Sequence, residues 1–199
     1  MMARMNRRQA LGHATWLTAG VGLGWLGARL GVSSLPPTSA AAEGETPEKR
    51  FAKLDLKLPA LVKPRATLAS AVRSGDLLFL SGHVSSDAAG KLIVGKLGKD
   101  LTLAQGQEAA KRVGLTLLSV MRAELGSLDR VAQLVKTLGM VNCTPEFTRQ
   151  PQVIDSYSQL MLDVFGEKAG KGARSAVGMA SLPLGVAVEI ECIVRVTGK

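Results

Sequence analysis

Arg174 and Glu189 are the residues of this 199-residue chain whose types and spacing could do chemistry on a small polar molecule. They sit in Gly172-Ala173-Arg174-Ser175 and Val188-Glu189-Ile190-Glu191, two segments that read as strands. A guanidinium can grip a carboxylate through two parallel hydrogen bonds. A glutamate can orient a water and take its proton. That pairing suits a small amino-acid-like substrate. If 182–185 form a hairpin loop, Gly178 lies opposite Glu189, and Arg174 shares a sheet face with Glu189 about 13 Å away. Such a span is too long for an ion pair. It fits a small molecule between the two groups, or a site completed by a neighbouring subunit. Glu189 and Glu191 also alternate with Val188 and Ile190, which alone is the pattern of solvent-facing strand residues.

Composition narrows the chemistry. Aromatic content is 4%, which argues against a protein that stacks nucleic-acid bases. The formal charge of +9 is concentrated near the start of the chain. Arg4, Arg7, Arg8 and Arg29 precede the first acid, Glu43, and six more bases fall within 49–65. A solvated basic arm explains that run better than a nucleic-acid footprint. Cys143 and Cys192 lie in apolar runs and read as free thiols. No CxxC is present, and beyond residue 42 His83 is the remaining histidine, so a multi-histidine metal site is not expected.

Residues 1–42 read as an export signal. Asn6-Arg7-Arg8-Gln9 gives a charged start, 14–32 an apolar run rich in glycine, and Ala40-Ala41-Ala42 a cleavage site before Glu43. The segment resembles a twin-arginine (Tat) signal, with the Tat or Sec route left open by Gln9-Ala10-Leu11. Export, a periplasmic location and no stable membrane span after processing are the expectation. Residues 43–61 are expected to be a flexible basic approach segment, and 62–199 the folded domain.

The elements that must position Arg174 and Glu189 follow from periodicity. Thr67–Arg73 and Leu77–Val84 read as strands joined at Ser74-Gly75-Asp76, with a short strand at 92–94. Thr102 and Gln105 open a long amphipathic helix that stops at Gly126. Val131–Val141 reads as a strand, and Pro151 to Gly166 as a second helix. A glycine-spaced linker at 168–171 leads to final strands at 174–181 and 186–196. The order is β-β-(β)-α-β-α-β-β. Two helices can cover only one face of such a sheet, and an oligomer burying the other face is the economical answer.

That order, with Ser81-Gly82, Ala173-Arg174-Ser175, Leu182-Pro183 and Val188-Glu189-Ile190-Glu191, resembles the RidA/YjgF family, also called endoribonuclease L-PSP-like. The similarity spans roughly 62–196 and points to a subgroup without an assigned reaction. The resemblance implies an α+β, chorismate-mutase-like fold, with a mixed sheet, two helices on one face and a homotrimer with clefts between subunits. It implies hydrolysis of reactive enamines and imines to 2-keto acids and ammonia. Arg174 would hold the substrate carboxylate and Glu189 the water, with Ser81 and Gly82 at the cleft floor. No metal or organic cofactor is implied, since an imine is already electrophilic. Leu68 stands where the family has a tyrosine, Asp155 where it has an asparagine, and His83 where its deaminases have a glutamine. These three would line the same cleft. The partner would be a small carboxylate or imine, and no nucleic acid. A non-catalytic binder of small carboxylates, using the same arginine, is the competing reading.

Overall fold

The computed structural model describes residues 44–61 and 67–198. The chain divides into two units, Met1–Ala40 and Ala41–Lys199, and the described residues all fall in the second. The predicted export signal therefore lies outside the described residues. Among those that are described, no helix is long and apolar enough to cross a membrane.

Five strands form one sheet in the order β1-β2-β5-β3-β4: β1 (Ala71–Ser74), β2 (Leu77–Val84), β3 (Val131–Asn142), β4 (Ala173–Met179) and β5 (Val188–Val196). All neighbours run antiparallel except β3 and β4, which are parallel. The parallel step requires a crossover, and α3 (Gln150–Gly170) supplies it. α2 (Leu103–Leu125) packs beside α3 on the same face of the sheet. Its start is a capping box: the Thr102 hydroxyl accepts from the Gln105 N–H, and the Gln105 side chain accepts from the Thr102 N–H. Gly126 ends it at φ 79°, a left-handed turn that favours glycine.

The core lies between the helices and this sheet face. Val113, Leu117, Val120 and Met121 of α2 and Ile154, Tyr157 and Met161 of α3 meet Val188, Ile190, Cys192 and Val194 of β5, all buried. Close approach of α3 to β3 occurs at Gly139, where a Cβ would come within 2.7 Å of the Ile154 side chain. Among the described residues no helix lies on the opposite sheet face. It presents Val72, Phe79 and Val177, which are 57%, 40% and 39% exposed, together with half-buried Leu138, Met140 and Ile193. Both cysteines are buried and unpaired.

Several expectations are corrected. The approach segment is not uniformly flexible: Pro47–Lys53 form α1, capped by the Thr46 hydroxyl and anchored by buried Phe51. Gly166 does not end α3. It takes φ 76° and ψ 169°, kinks the chain, and helical structure continues to Gly170, so 168–171 is not simply a linker. Residues 92–94 make only isolated bridges, and the first strand begins at Ala71.

The largest correction concerns the last two strands, which do not form a hairpin. β4 pairs with β3 alone, and β5 lies on the other side of β3. The connection passes over the end of β3 through a 3-10 turn at Pro183–Gly185, where the Asn142 side-chain amide donates to the Val186 carbonyl at 3.1 Å. The Ala187 N–H donates to the Ile93 carbonyl at 2.9 Å. A strand buried at every second position, as β5 is, gains most from a central place with a neighbour on each side.

Candidate functional site

Sheet register settles which way the chemical groups face. Arg174 pairs with Thr137, which is 1% exposed under α3, so the arginine lies on the helix-covered face. Glu189 pairs with Met140 of β3 and Val84 of β2, on the uncovered face. Within one protomer the two groups are therefore on opposite sides of the sheet. The shared face expected from a hairpin is overturned, because it assumed a β4–β5 pairing that does not exist.

Glu189 stands over the backbone of β2. A β-bulge between Leu80 and His83 interrupts the ladder with β5 at Ser81-Gly82. A Cβ on Gly82 would collide with Glu189 Oε1, so the glycine is what lets the carboxylate approach this backbone. The Ser81 hydroxyl donates to the Ala69 carbonyl at 2.7 Å, tying the bulge to the chain before β1. Leu68 lies just upstream and is 64% exposed. Partial burial, and then the charge of Glu191 two residues along the same face, raise the Glu189 carboxyl above its ordinary value. A carboxylate so tuned is a stronger base than an exposed one.

The bulge also separates Ser81 from His83. His83 pairs with Ile190, a core-facing position, so the histidine does not share the serine's face. Burial lowers the His83 pKa, and a hydrogen bond with the Ser70 backbone opposes that shift. Its Nε2 is buried with no partner among the described residues.

Arg174 is held from α3. Its Nη1 donates to Asp155 Oδ1 at 2.8 Å and to the Ser158 hydroxyl at 2.9 Å. Among the described residues nothing engages the Nε–Nη2 edge, so one side of the fork is fixed and the other remains available. The arginine side chain is 26% exposed on β4, an edge strand of the sheet. Ser158 and the influence of Glu191 on Glu189 were missed from sequence. The signal for Ser158 was its i,i+3 relation to Asp155, which puts both on one helical face.

Among the described residues no group of three or more His, Cys, Asp or Glu is placed to hold a metal ion. The buried Cys192 thiol is pushed up to about 12, mainly by burial, so it is no nucleophile near neutral pH.

Comparison with known proteins bears on the family and the fold. Residues 48–195 match the family model described as "YjgF/chorismate_mutase-like, putative endoribonuclease". Protein TCP17 of Trypanosoma cruzi is 44% identical over 143 residues, covering 72% of this chain and 89% of that protein. Protein HMF1 of Saccharomyces cerevisiae is 30% identical over 128 residues, covering 64% and 83%. The crystal structure of Atu1372 from Agrobacterium tumefaciens superposes with a TM-score of 0.70 at 36% identity, covering 77% of this chain and 94% of that one. With a family model spanning most of the chain, a mixed sheet backed by two helices and a carboxylate seated over a glycine bulge, the chain belongs to the YjgF/RidA family and has its chorismate-mutase-like fold.

Proposed function

We propose that the protein hydrolyses imines of small amino acids, or their enamine tautomers, to 2-keto acids and ammonia, in a cleft between subunits of a homotrimer. The observation that carries this reading is Glu189: a half-buried carboxylate of raised pKa, poised over the Gly82 backbone on a sheet face that no helix among the described residues covers. The arginine that would hold the substrate sits on the opposite face at the sheet edge. One protomer cannot bring the two together, but packing the edge of one sheet beside the open face of the next can. The exposed Val72, Phe79 and Val177 give that open face a reason to be buried.

In the proposed reaction, the Nε–Nη2 edge of Arg174 holds the substrate carboxylate by two parallel hydrogen bonds. Glu189 of the neighbouring subunit accepts a proton from water as its oxygen bonds to the imine carbon. The proton passes to nitrogen, the C–N bond breaks, and ammonia leaves with the keto acid formed. Atoms balance with water as the sole co-reactant. Backbone groups at Ser81-Gly82 would orient the substrate, with Leu68 near the rim; His83, expected to line the cleft, faces the core side instead.

Ammonia and keto-acid release from freshly generated 2-iminobutyrate tests the proposal. A rate above buffer that falls in Arg174→Ala and Glu189→Gln supports it. A rate equal to buffer, unchanged in both variants, ends it. Light scattering should give three subunits, and a one-subunit mass would remove the cleft.

A second reading, non-catalytic binding of a small carboxylate, is favoured by the Asp155 carboxylate against Arg174 and by Leu68, which offers no hydroxyl. Binding of 2-ketobutyrate without turnover would select it. Segment 1–42 further supports export to the periplasm, which N-terminal sequencing of the mature protein would test.

A further inference from the structure

A second hollow lies at the far end of the sheet from Glu189. It has a volume of about 370 Å³ and is lined by Arg50, Gln133, Gly166, Glu167, Lys168 and Arg195, among others. It exists because β4 is shorter than β3: pairing between them starts at Lys136 and Ala173, which leaves Ala132 and Gln133 without a β4 neighbour. α1 brings Arg50 to this notch, the kinked end of α3 brings Lys168, and β5 brings Arg195. Along β5, Arg195 is six residues from Glu189, about 20 Å.

The charges there are unbalanced. Glu167, the acid among the lining residues, is already paired with Lys171 at 2.9 Å. Half-buried Arg50 has no hydrogen bond or ion pair through its guanidinium among the described residues. It rests against Gly166, where any Cβ would strike Nη1. The glycine thus gives room for the guanidinium as well as making the kink. Arg195 Nη2 donates to Gln133 Oε1 at 3.2 Å, which leaves the Gln133 amide N–H groups free to donate elsewhere. Two guanidinium groups, an ammonium and an amide around one hollow outnumber the single carboxylate there, Glu167.

We propose that this hollow binds a doubly charged oxyanion, phosphate or a small phosphomonoester, through Arg50, Lys168 and Arg195. Tetrahedral oxygens can accept from all three cations at once. The volume exceeds a bare ion and leaves space for a small esterified body. Binding would clamp α1 to β5 and to the end of α3. The site owes nothing to Arg174 or Glu189.

Calorimetric titration with inorganic phosphate and with glycerol phosphate tests it, at constant ionic strength with chloride as control. Saturable binding with a rise in melting temperature is expected. The double variant Arg50→Gln/Arg195→Gln should bind at least about tenfold more weakly. Lys168→Gln, at an exposed position, should bind about threefold more weakly and decides the matter if the double variant does not fold. Arg174→Ala should bind as the native protein does. Tighter binding of the ester identifies a phosphomonoester, and equal binding the free ion. No preference over chloride, native affinity in Lys168→Gln, or loss of binding in Arg174→Ala overturns the proposal.

Discussion

Glu189 Oε1 occupies the space that a Cβ on residue 82 would need, so the position of the carboxylate depends on residue 82 being glycine. The contact joins neighbouring strands, β5 and β2, at the point where the Ser81-Gly82 bulge interrupts their ladder. It explains why a serine-glycine pair and a glutamate more than a hundred positions later belong to one device.

Gly82→Ala should separate chemistry from folding. The methyl group would push a flexible carboxylate aside and leave the core untouched. Imine hydrolysis should fall by about a hundredfold, the lower end of what a positioned base contributes. Stability should change by less than about 1 kcal/mol. Steady-state rates and urea midpoints check both. Full activity would mean that Glu189 does not act from this position.

The acid limb of kcat/KM should lie above the ordinary carboxylate range, because burial and then Glu191 raise the Glu189 pKa. Glu191→Gln removes the second cause and should move that limb to lower pH. Stability carries the opposite sign. The folded state holds the Glu189 proton more tightly than the unfolded state, so stability is lost as pH rises from the ordinary value of 4.5 through the folded pKa. Glu189→Gln should therefore be more stable than the native protein at neutral pH and equal to it below that window. Urea midpoints across the range would show it.

Asp155 both orients Arg174 and offsets its charge. The pair is partly solvated, with Asp155 59% exposed, so its electrostatic worth is modest. Asp155→Asn keeps an oxygen that can accept from Nη1, and Ser158 still holds the same nitrogen. Affinity for 2-ketobutyrate should rise by about two- to fivefold, measured by calorimetry. Weaker binding would show that orientation by Asp155 outweighs its repulsion of the ligand.

Local signals were legible in the sequence, and long-range pairing was not. Thr102, Gln105 and Gly126 bounded α2 because caps are local chemistry. The alternation of Val188 to Val196 marked β5 as half-buried, but alternation does not name a neighbour. Proximity in sequence suggested a β4–β5 hairpin, whereas α3 had already committed β4 to the parallel edge of β3. Arg174 and Glu189 were thus assigned to one face in error. Gly166 was read as a stop because glycine commonly ends helices, yet here a positive φ only redirects the chain. α1 was hidden by its charge. Thr46 and Pro47 are ordinary start signals, but a lysine-rich setting with one aromatic residue resembles a solvated arm.

Glu48 and Phe51 are the main anchors of α1, while the Ser119 hydroxyl, donating to the Pro59 carbonyl at 2.7 Å, holds the segment after it. Glu48 Oε1 accepts from Arg122 Nε at 3.1 Å and from the Leu128 N–H at 2.9 Å, and Oε2 accepts from Arg122 Nη2 at 2.5 Å. The Glu48 N–H donates to Asp129 Oδ1 at 2.9 Å, and the Arg122 guanidinium stacks 5.1 Å from the Phe51 ring centre. Glu48→Ala strips the Leu128 N–H and Arg122 of their shared acceptor. It should cost about 1–2 kcal/mol, lowering the melting temperature by about 2–8 °C. Amides of 47–53 should exchange faster while those of α2 and β5 keep their protection, since α1 can open without the core. Unchanged exchange in α1 would show that Phe51 alone suffices to dock it. Phe51→Ala would then be the variant that releases the helix, at a cost of about 3 kcal/mol or more for an emptied aromatic site.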